Sequence, residues 1–188
     1  MQINAQALIT GIHGLLFGGF FILALFGLVV ELIRSAYTTP DSNLSERGRS
    51  LASFYLWATA LLGWAAVFVG LYIVYPWYRA VPPLGTTDFA AFPQHLLLAR
   101  SATSGWHRLG MEWKEHVSWV APIAVTVAAD VMINQRSAMK AYPQIRKAIL
   151  VFALVAFASA GTAALFGAMI SKNAPVNGGR EIHLISQP

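Results

Sequence analysis

Long apolar runs alternate with shorter polar segments along the chain, and four of these runs approach the length of a membrane-spanning helix. The hydrocarbon core of a bilayer needs about 20 apolar residues in an α-helix. The predicted spans cover approximately residues 7–33, 51–77, 113–134 and 145–170. We therefore predict an all-α membrane protein whose 188 residues form one integral membrane domain, a four-transmembrane-helix bundle.

The connection between the second and third predicted spans, residues 80–115, is long for a compact bundle. Pro93 suits the first turn of a helix, and the residues after it are strongly apolar. We predict an extramembrane helix here that lies at the membrane interface or caps the outer mouth of the bundle. A helical stripe from Trp106 to Val120 also predicts that the third helix begins above the bilayer.

The composition agrees with a membrane location. Hydrophobic residues make up 56% of the chain and charged residues 11%, whereas soluble domains carry about 25% charged residues. The absence of cysteine excludes disulfides, cysteine-ligated metal clusters and a covalently attached haem. The net charge of +5 comes from basic residues that flank apolar runs, so we expect membrane lipid as a partner and no nucleic acid.

The positions of lysine and arginine predict the orientation of the spans. The first loop carries Arg47 and Arg49 and the third carries Arg136 and Lys140, whereas the N-terminal tail carries no basic residue. Both termini and the long second loop are then outside. For a bacterial inner membrane, which is the location we expect, this outer side is the periplasm.

His13 is the ionisable residue in the first half of the first predicted span. A polar group in hydrocarbon is costly unless it is satisfied, so it normally has a partner or a function. Gly11, Gly14 and Gly18 share one helix face, which can admit a neighbouring helix or a flat cofactor beside the imidazole. A structural histidine, hydrogen-bonded to another helix, explains the same residues without a cofactor.

Three further histidines lie between residues 95 and 116, on the same predicted outer side. His116 opens the apolar part of the third span, and Glu112, one turn above it, can hold its second ring nitrogen. His107 points to another face of the same helix, and His95 is expected at the surface. A simpler reading of His116 is an interfacial histidine in contact with headgroups.

Two imidazoles from different helices of a four-helix bundle can hold a b-type haem without a covalent bond. We predict His13 and His116 as the axial ligands of the haem iron, with His107 as the next choice and Gly14 beside the macrocycle. The basic residues on the correct side for the haem propionates are Arg100, Arg108 and Lys114. No histidine lies toward the inner side, which argues against a second haem there.

This layout of four spans with histidines near one face resembles the small four-helix b-type cytochromes that anchor respiratory oxidoreductases in the membrane. The resemblance covers residues 7–170 and is one of architecture alone. It implies a redox subunit that works with the other subunits of a larger membrane complex rather than an enzyme alone. Such a subunit passes electrons between an external redox partner and quinone or another membrane cofactor.

Two other functions remain open. Small size and spans rich in glycine and alanine also fit a cofactor-free accessory subunit that helps to assemble a larger membrane complex. Alternatively, His95, His107 and His116 could form a copper or zinc site at the outer surface.

Two acidic residues lie toward the inner ends of the spans. Glu31, one turn from Arg34, is expected to form an interfacial ion pair. Asp130 is either an ion-pair partner of Arg136 or Arg34 or a carboxylate of a proton relay or quinone site.

Overall fold

The computed structural model describes residues 5–37 and 45–176. Within these ranges the secondary structure is helical, and four helices are long and apolar enough to cross a membrane. These helices, named spans 1 to 4 in chain order, are Ala5–Arg34, Glu46–Tyr78, Ser101–Asn134 and Pro143–Asn173. The predicted all-α membrane protein with four spanning helices is therefore confirmed.

Spans 1, 2 and 3 each change from α-helix to π-helix over one short stretch, whereas span 4 is α-helical throughout. The α-helical segments of the spans are Ala5–Gly11, Phe20–Tyr37, Glu46–Val69, Tyr75–Tyr78, Ser101–Glu112, Val120–Asn134 and Pro143–Asn173. The π-helical segments are Ile12–Gly19, Gly70–Val74 and Trp113–Val117. Two short α-helices, Pro93–Ala99 and Arg136–Ala141, lie in the connections between spans.

Helix starts follow local sequence signals. The hydroxyl of Ser45 accepts a hydrogen bond from the Gly48 amide at 3.2 Å and so caps the start of span 2. Pro93 and Pro143 occupy first helical positions, where the missing N–H costs nothing. The start at Pro93 agrees with the sequence, and span 3 begins at Ser101, well before its apolar part.

A tightly packed apolar core fills the part of the bundle away from the π-helical segments. Span 3 packs on spans 2 and 4, and span 1 packs on the same two, so spans 1 and 3 are diagonal neighbours. Fully buried core residues from spans 1, 3 and 4 are Leu25, Val125, Ala129, Ala153 and Ala156. The small alanine side chains allow close approach of the helices, as is usual in membrane bundles.

The short helix Pro93–Ala99 lies against the end of the bundle at which span 2 and span 4 finish. Its Leu97 is completely buried and packs in one apolar cluster with Tyr78 of span 2 and Ala174, just beyond span 4. The connection between spans 2 and 3 is thus anchored to the bundle by an apolar contact.

Charged groups toward the opposite end of the bundle agree in part with the sequence analysis. Glu31 and Arg34 form the expected ion pair at 2.8 Å. Asp130 instead accepts a hydrogen bond from the Asn134 amide at 2.7 Å, and Arg136 donates to the Ser53 hydroxyl at 3.2 Å. Asp130 and Arg136 thus each bond to a neutral neighbour, and of the predicted ion pairs of Asp130 the one with Arg136 is not formed.

A polar layer at the outer end as the candidate functional site

The three π-helical segments carry or adjoin most of the polar side chains at one end of the bundle, which we call the outer layer. The segment in span 1 contains His13, the segment in span 2 begins at Gly70, and the segment in span 3 contains Lys114 and His116. Single turns of π-helix inside α-helices frequently mark functional sites. The outer layer is therefore the part of the molecule with the strongest structural sign of a function.

The imidazole of His13 lies directly over the backbone of Gly70. A Cβ atom added at Gly70 would stand 2.7 Å from Cε1 and 3.3 Å from Nε2 of that ring, so glycine makes the contact between spans 1 and 2 possible. The Nδ1 atom of His13 is buried and has no hydrogen-bond partner. The ring is also within hydrogen-bonding reach of the Ala66 backbone in span 2, the contact expected of a structural histidine. Nδ1 itself stays unpaired, which is unusual for a buried polar atom.

The glycine face predicted beside His13 remains open. A Cβ atom added at Gly11 or at Gly14 would meet no atom within 4 Å, and one at Gly18 would meet only the His13 backbone oxygen, at 3.3 Å. No helix among residues 5–37 and 45–176 closes on this face at Gly11 or Gly14. Of the two roles predicted for these glycines, close packing against another helix is thus not used within the described chain, and room for a cofactor stays a prediction.

Span 3 presents Lys114, and not His116, to the interior of the bundle. The ammonium nitrogen of Lys114 is buried, lies 3.5 Å from the carbonyl oxygen of Ala163 in span 4, and is close enough to His13 for the two charges to interact. His116 follows two residues later, about 200° further round an ideal helix. Its side chain is 68% exposed.

The side chain of His116 makes its contacts within its own helix. Its Nδ1 atom is 3.1 Å from the backbone oxygen and 3.3 Å from the carboxylate of Glu112. The predicted support from Glu112 is thus present. The predicted convergence of His116 with His13 inside the bundle is not, because His116 faces outward.

The depths of His13 and His116 are nevertheless similar. The Tyr75 hydroxyl donates to Glu115 Oε1 at 2.5 Å, which sets residue 116 opposite residue 74 in the antiparallel pair of spans 2 and 3. His13 lies beside Gly70, only four residues away, which is about one helical turn. The two histidines therefore lie about one helical turn apart in depth and occupy different faces of the bundle.

Three contacts join the π-helical segment of span 3 to span 4. The Trp113 indole donates to the Ser159 backbone oxygen at 3.1 Å, and the buried Ser159 hydroxyl donates to the Val117 backbone oxygen at 2.7 Å. The Lys114 ammonium completes the set at Ala163. Sequence reasoning singled out no residue of span 4, and the hydroxyl of Ser159 within a run of small residues was the available signal.

His107 lies in the upper part of the outer layer and is almost completely buried, at 2% exposure. Its Nε2 atom is hydrogen-bonded to the hydroxyl of Tyr78, which is also buried, and its Nδ1 atom has no partner. Nearby, Arg79 donates to the Tyr75 hydroxyl at 2.7 Å. The sequence gave no sign that these tyrosines are hydrogen-bond partners of span 3.

The remaining predicted site residues lie around this layer. Arg108 is exposed next to His107, and Arg100 is exposed at the start of span 3. His95 was expected at the surface, but its Nδ1 atom is buried and unpartnered, and its ring lies 6.0 Å from that of Phe89. Among the residues that the structure describes, no three His, Cys, Asp or Glu side chains are grouped so as to hold a metal ion.

Comparison with known proteins supplies no further assignment. No family model, curated protein or solved structure matches the chain. The functional argument therefore depends on the outer layer itself, where the buried Nδ1 atoms of His13 and His107 have no hydrogen-bond partner and the Lys114 ammonium has one long hydrogen bond.

Proposed function

We propose that the protein is a membrane electron-transfer subunit that holds one b-type haem at the outer end of its bundle, with His13 as an axial ligand. The observation that carries the proposal is the buried, unpartnered Nδ1 atom of His13. In the described ranges, three buried side-chain nitrogen or oxygen atoms have no hydrogen-bond partner, and each is the Nδ1 atom of a histidine. An imidazole nitrogen is the usual protein ligand of haem iron in non-covalent haem proteins.

The residues around His13 fit a haem in three respects. Gly70 holds the imidazole between spans 1 and 2, and the open face at Gly14 offers space beside it. The Lys114 ammonium supplies a positive charge for a propionate from the facing helix. His116 does not fit as a ligand in the orientation observed, because its ring is exposed and held by Glu112.

Two histidines remain candidates for the second axial position. His116 lies about one helical turn from His13 in depth but faces outward. His107 has a buried, free Nδ1 atom but lies nine residues, about 13 Å of helix, above His116. Spectra of the two single variants will identify which of them, if either, binds the iron.

When bound, haem supplies reversible one-electron chemistry, and the protein supplies ligation, orientation and burial. Gly70 fixes the plane of the His13 ring through close contact. Ser159 and Trp113 hold the π-helical segment that carries Lys114. We further propose that the helix Pro93–Ala99 caps this layer, since it packs on the outer ends of the spans.

The same proposal covers the cellular setting. The subunit would lie in a bacterial inner membrane with both termini and the outer layer on the periplasmic side, as the loop charges indicate. It would exchange electrons with an external redox partner and with quinone or another cofactor of a larger membrane complex. The open glycine face of span 1 at Gly11 and Gly14 is available for contact with another subunit.

A visible difference spectrum tests the proposal. Protein extracted in mild detergent should show sharp low-spin haem bands after dithionite reduction, and His13→Ala should abolish them. His183→Ala, in the C-terminal tail, is the matched histidine control and should keep them. Wild-type protein that carries no haem chromophore under these conditions would contradict the proposal.

A cofactor-free accessory subunit is the second candidate function. The observation that favours it is the same open face at Gly11 and Gly14, which a helix of a partner subunit could cover through small-residue packing. Under this alternative, larger subunits co-purify with the chain and no pigment is assigned to it. Glycine-to-leucine substitution at Gly14 would then release the partner.

A further inference from the structure

Among the residues that the structure describes, the largely buried side chain of Lys114 has no carboxylate partner. Its one hydrogen-bond acceptor among the described residues is the Ala163 carbonyl at 3.5 Å, which leaves two of its three donors unused. The two carboxylates nearest in sequence are engaged elsewhere, since Glu112 contacts His116 and Glu115 accepts from Tyr75. A buried charge normally requires an opposite charge or several hydrogen bonds, so Lys114 lacks what a buried ammonium needs.

The surroundings of this ammonium accommodate a ligand better than a protein side chain. On span 4, Ala163 and Gly167 face Lys114, and a Cβ atom at Gly167 would already stand 3.5 Å from Nζ. On span 1, no residue between Ala5 and Gly19 is buried, so the helix packs loosely at this depth. The residues of spans 1 and 4 at this depth are thus small or not fully buried.

The depth of Lys114 identifies where a ligand would come from. Counting about 20 residues outward from Arg49, the last basic residue before the apolar part of span 2, reaches Gly70 at the outer edge of the hydrocarbon. Lys114 lies further out than this level, since Glu115 is bonded to Tyr75 and Lys114 is one residue beyond it, about six residues or 9 Å of helix outward of Gly70. The oxyanion head of an amphipathic molecule in the outer leaflet lies at this depth.

We propose that Lys114 is the centre of an anion-binding site inside the outer layer, which takes the oxyanion head of an amphipathic ligand, a carboxylate or a phosphate on an apolar body. The two unused N–H donors of the ammonium bind the oxygens. Charge-assisted hydrogen bonds of this kind are short and strong, and burial increases their strength. The site does not require a bound haem.

Two sources supply this chemistry, namely a phospholipid phosphate and a haem propionate. Native mass spectrometry separates them by mass. Purified, delipidated protein is titrated in parallel with phosphatidylglycerol, with zwitterionic phosphatidylcholine of the same chains, and with haemin. The variants are Lys114→Met, Lys114→Arg, which keeps the charge, and Lys172→Met, which removes a lysine at the exposed end of span 4.

The expected result is a stoichiometric adduct with phosphatidylglycerol or with haemin, at least about tenfold weaker in Lys114→Met and unchanged in Lys172→Met. Partial retention in Lys114→Arg, with melting temperatures that show all variants folded, assigns the effect to the charge. Two results would overturn the proposal. One is equal binding of these ligands by Lys114→Met and by the wild type. The other is equal binding of phosphatidylglycerol and phosphatidylcholine together with no binding of haemin. A His13→Ala protein that loses haemin but keeps phosphatidylglycerol separates this site from haem ligation.

Discussion

Replacement of Gly70 by alanine tests the contact that positions His13. The added Cβ atom would lie 2.7 Å from Cε1 of the imidazole, closer than carbon atoms approach one another, so either the ring or span 2 must move. Alanine favours a helix interior over glycine by about 1 kcal/mol, whereas overpacking costs about 1–3 kcal/mol. The net change at Gly70 is therefore between about zero and a loss of 2 kcal/mol.

Gly161→Ala is the matched control, because a Cβ atom there meets no atom within 4 Å and only the gain in helix propensity remains. The two variants should differ by about 1–3 kcal/mol in the free energy of unfolding, which for a chain of this size is roughly 2–12 °C in melting temperature. Thermal unfolding in detergent, followed by circular dichroism, measures this difference. Equal melting temperatures for Gly70→Ala and Gly161→Ala would show that His13 does not lie over Gly70.

Three other substitutions test the outer layer. Ser159→Ala removes the hydrogen bond to span 3 and should lower the free energy of unfolding by about 0.5–1.5 kcal/mol. Ser171→Ala, at an exposed position, is the control and should leave the free energy of unfolding unchanged; equal losses in the two variants would refute the contact. Tyr78→Phe leaves the buried imidazole of His107 without its partner and should cost about 1–3 kcal/mol in thermal unfolding, and an unchanged melting temperature would count against that hydrogen bond. His116→Ala, at an exposed position, should change stability by less than about 0.5 kcal/mol, and a larger loss would mean that the ring is buried.

The features of the fold that depend on local pattern could be predicted from the sequence. The lengths of the apolar runs gave the four spans, and Pro93 gave the start of the short connecting helix. The stripe that begins at Trp106 correctly indicated a third helix that extends beyond its apolar part. These features depend on residues close together in the chain, which is why composition and spacing were sufficient.

The directions in which side chains of the outer layer point could not be predicted in the same way. The sequence placed His116 opposite His13, but the structure turns His116 outward and brings Lys114 against span 4. A π-helical turn contains an extra residue and so rotates the faces around it relative to a regular α-helix. The π-helical segments carry no distinctive residue pattern, and the hydrogen bonds that accompany them join residues more than 40 positions apart, such as Trp113 and Ser159.

The pairing of His107 with Tyr78 was missed for a related reason. Each residue alone reads as an interfacial side chain, and only the packing of span 2 against span 3 joins them. Buried polar pairs of this kind depend on tertiary contacts, for which a single sequence gives no direct signal. The unpartnered Nδ1 atoms of His13, His95 and His107 likewise became visible only once the burial of each ring was known.

Ligand rescue at His13 tests the central claim most directly. His13→Ala protein, reconstituted with haemin and reduced, should lack the sharp low-spin bands of the wild type, and added imidazole should restore them by occupying the space left by the side chain. The same addition should leave the wild-type spectrum unchanged. A His13→Ala spectrum that already equals that of the wild type without imidazole would show that His13 does not bind haem iron.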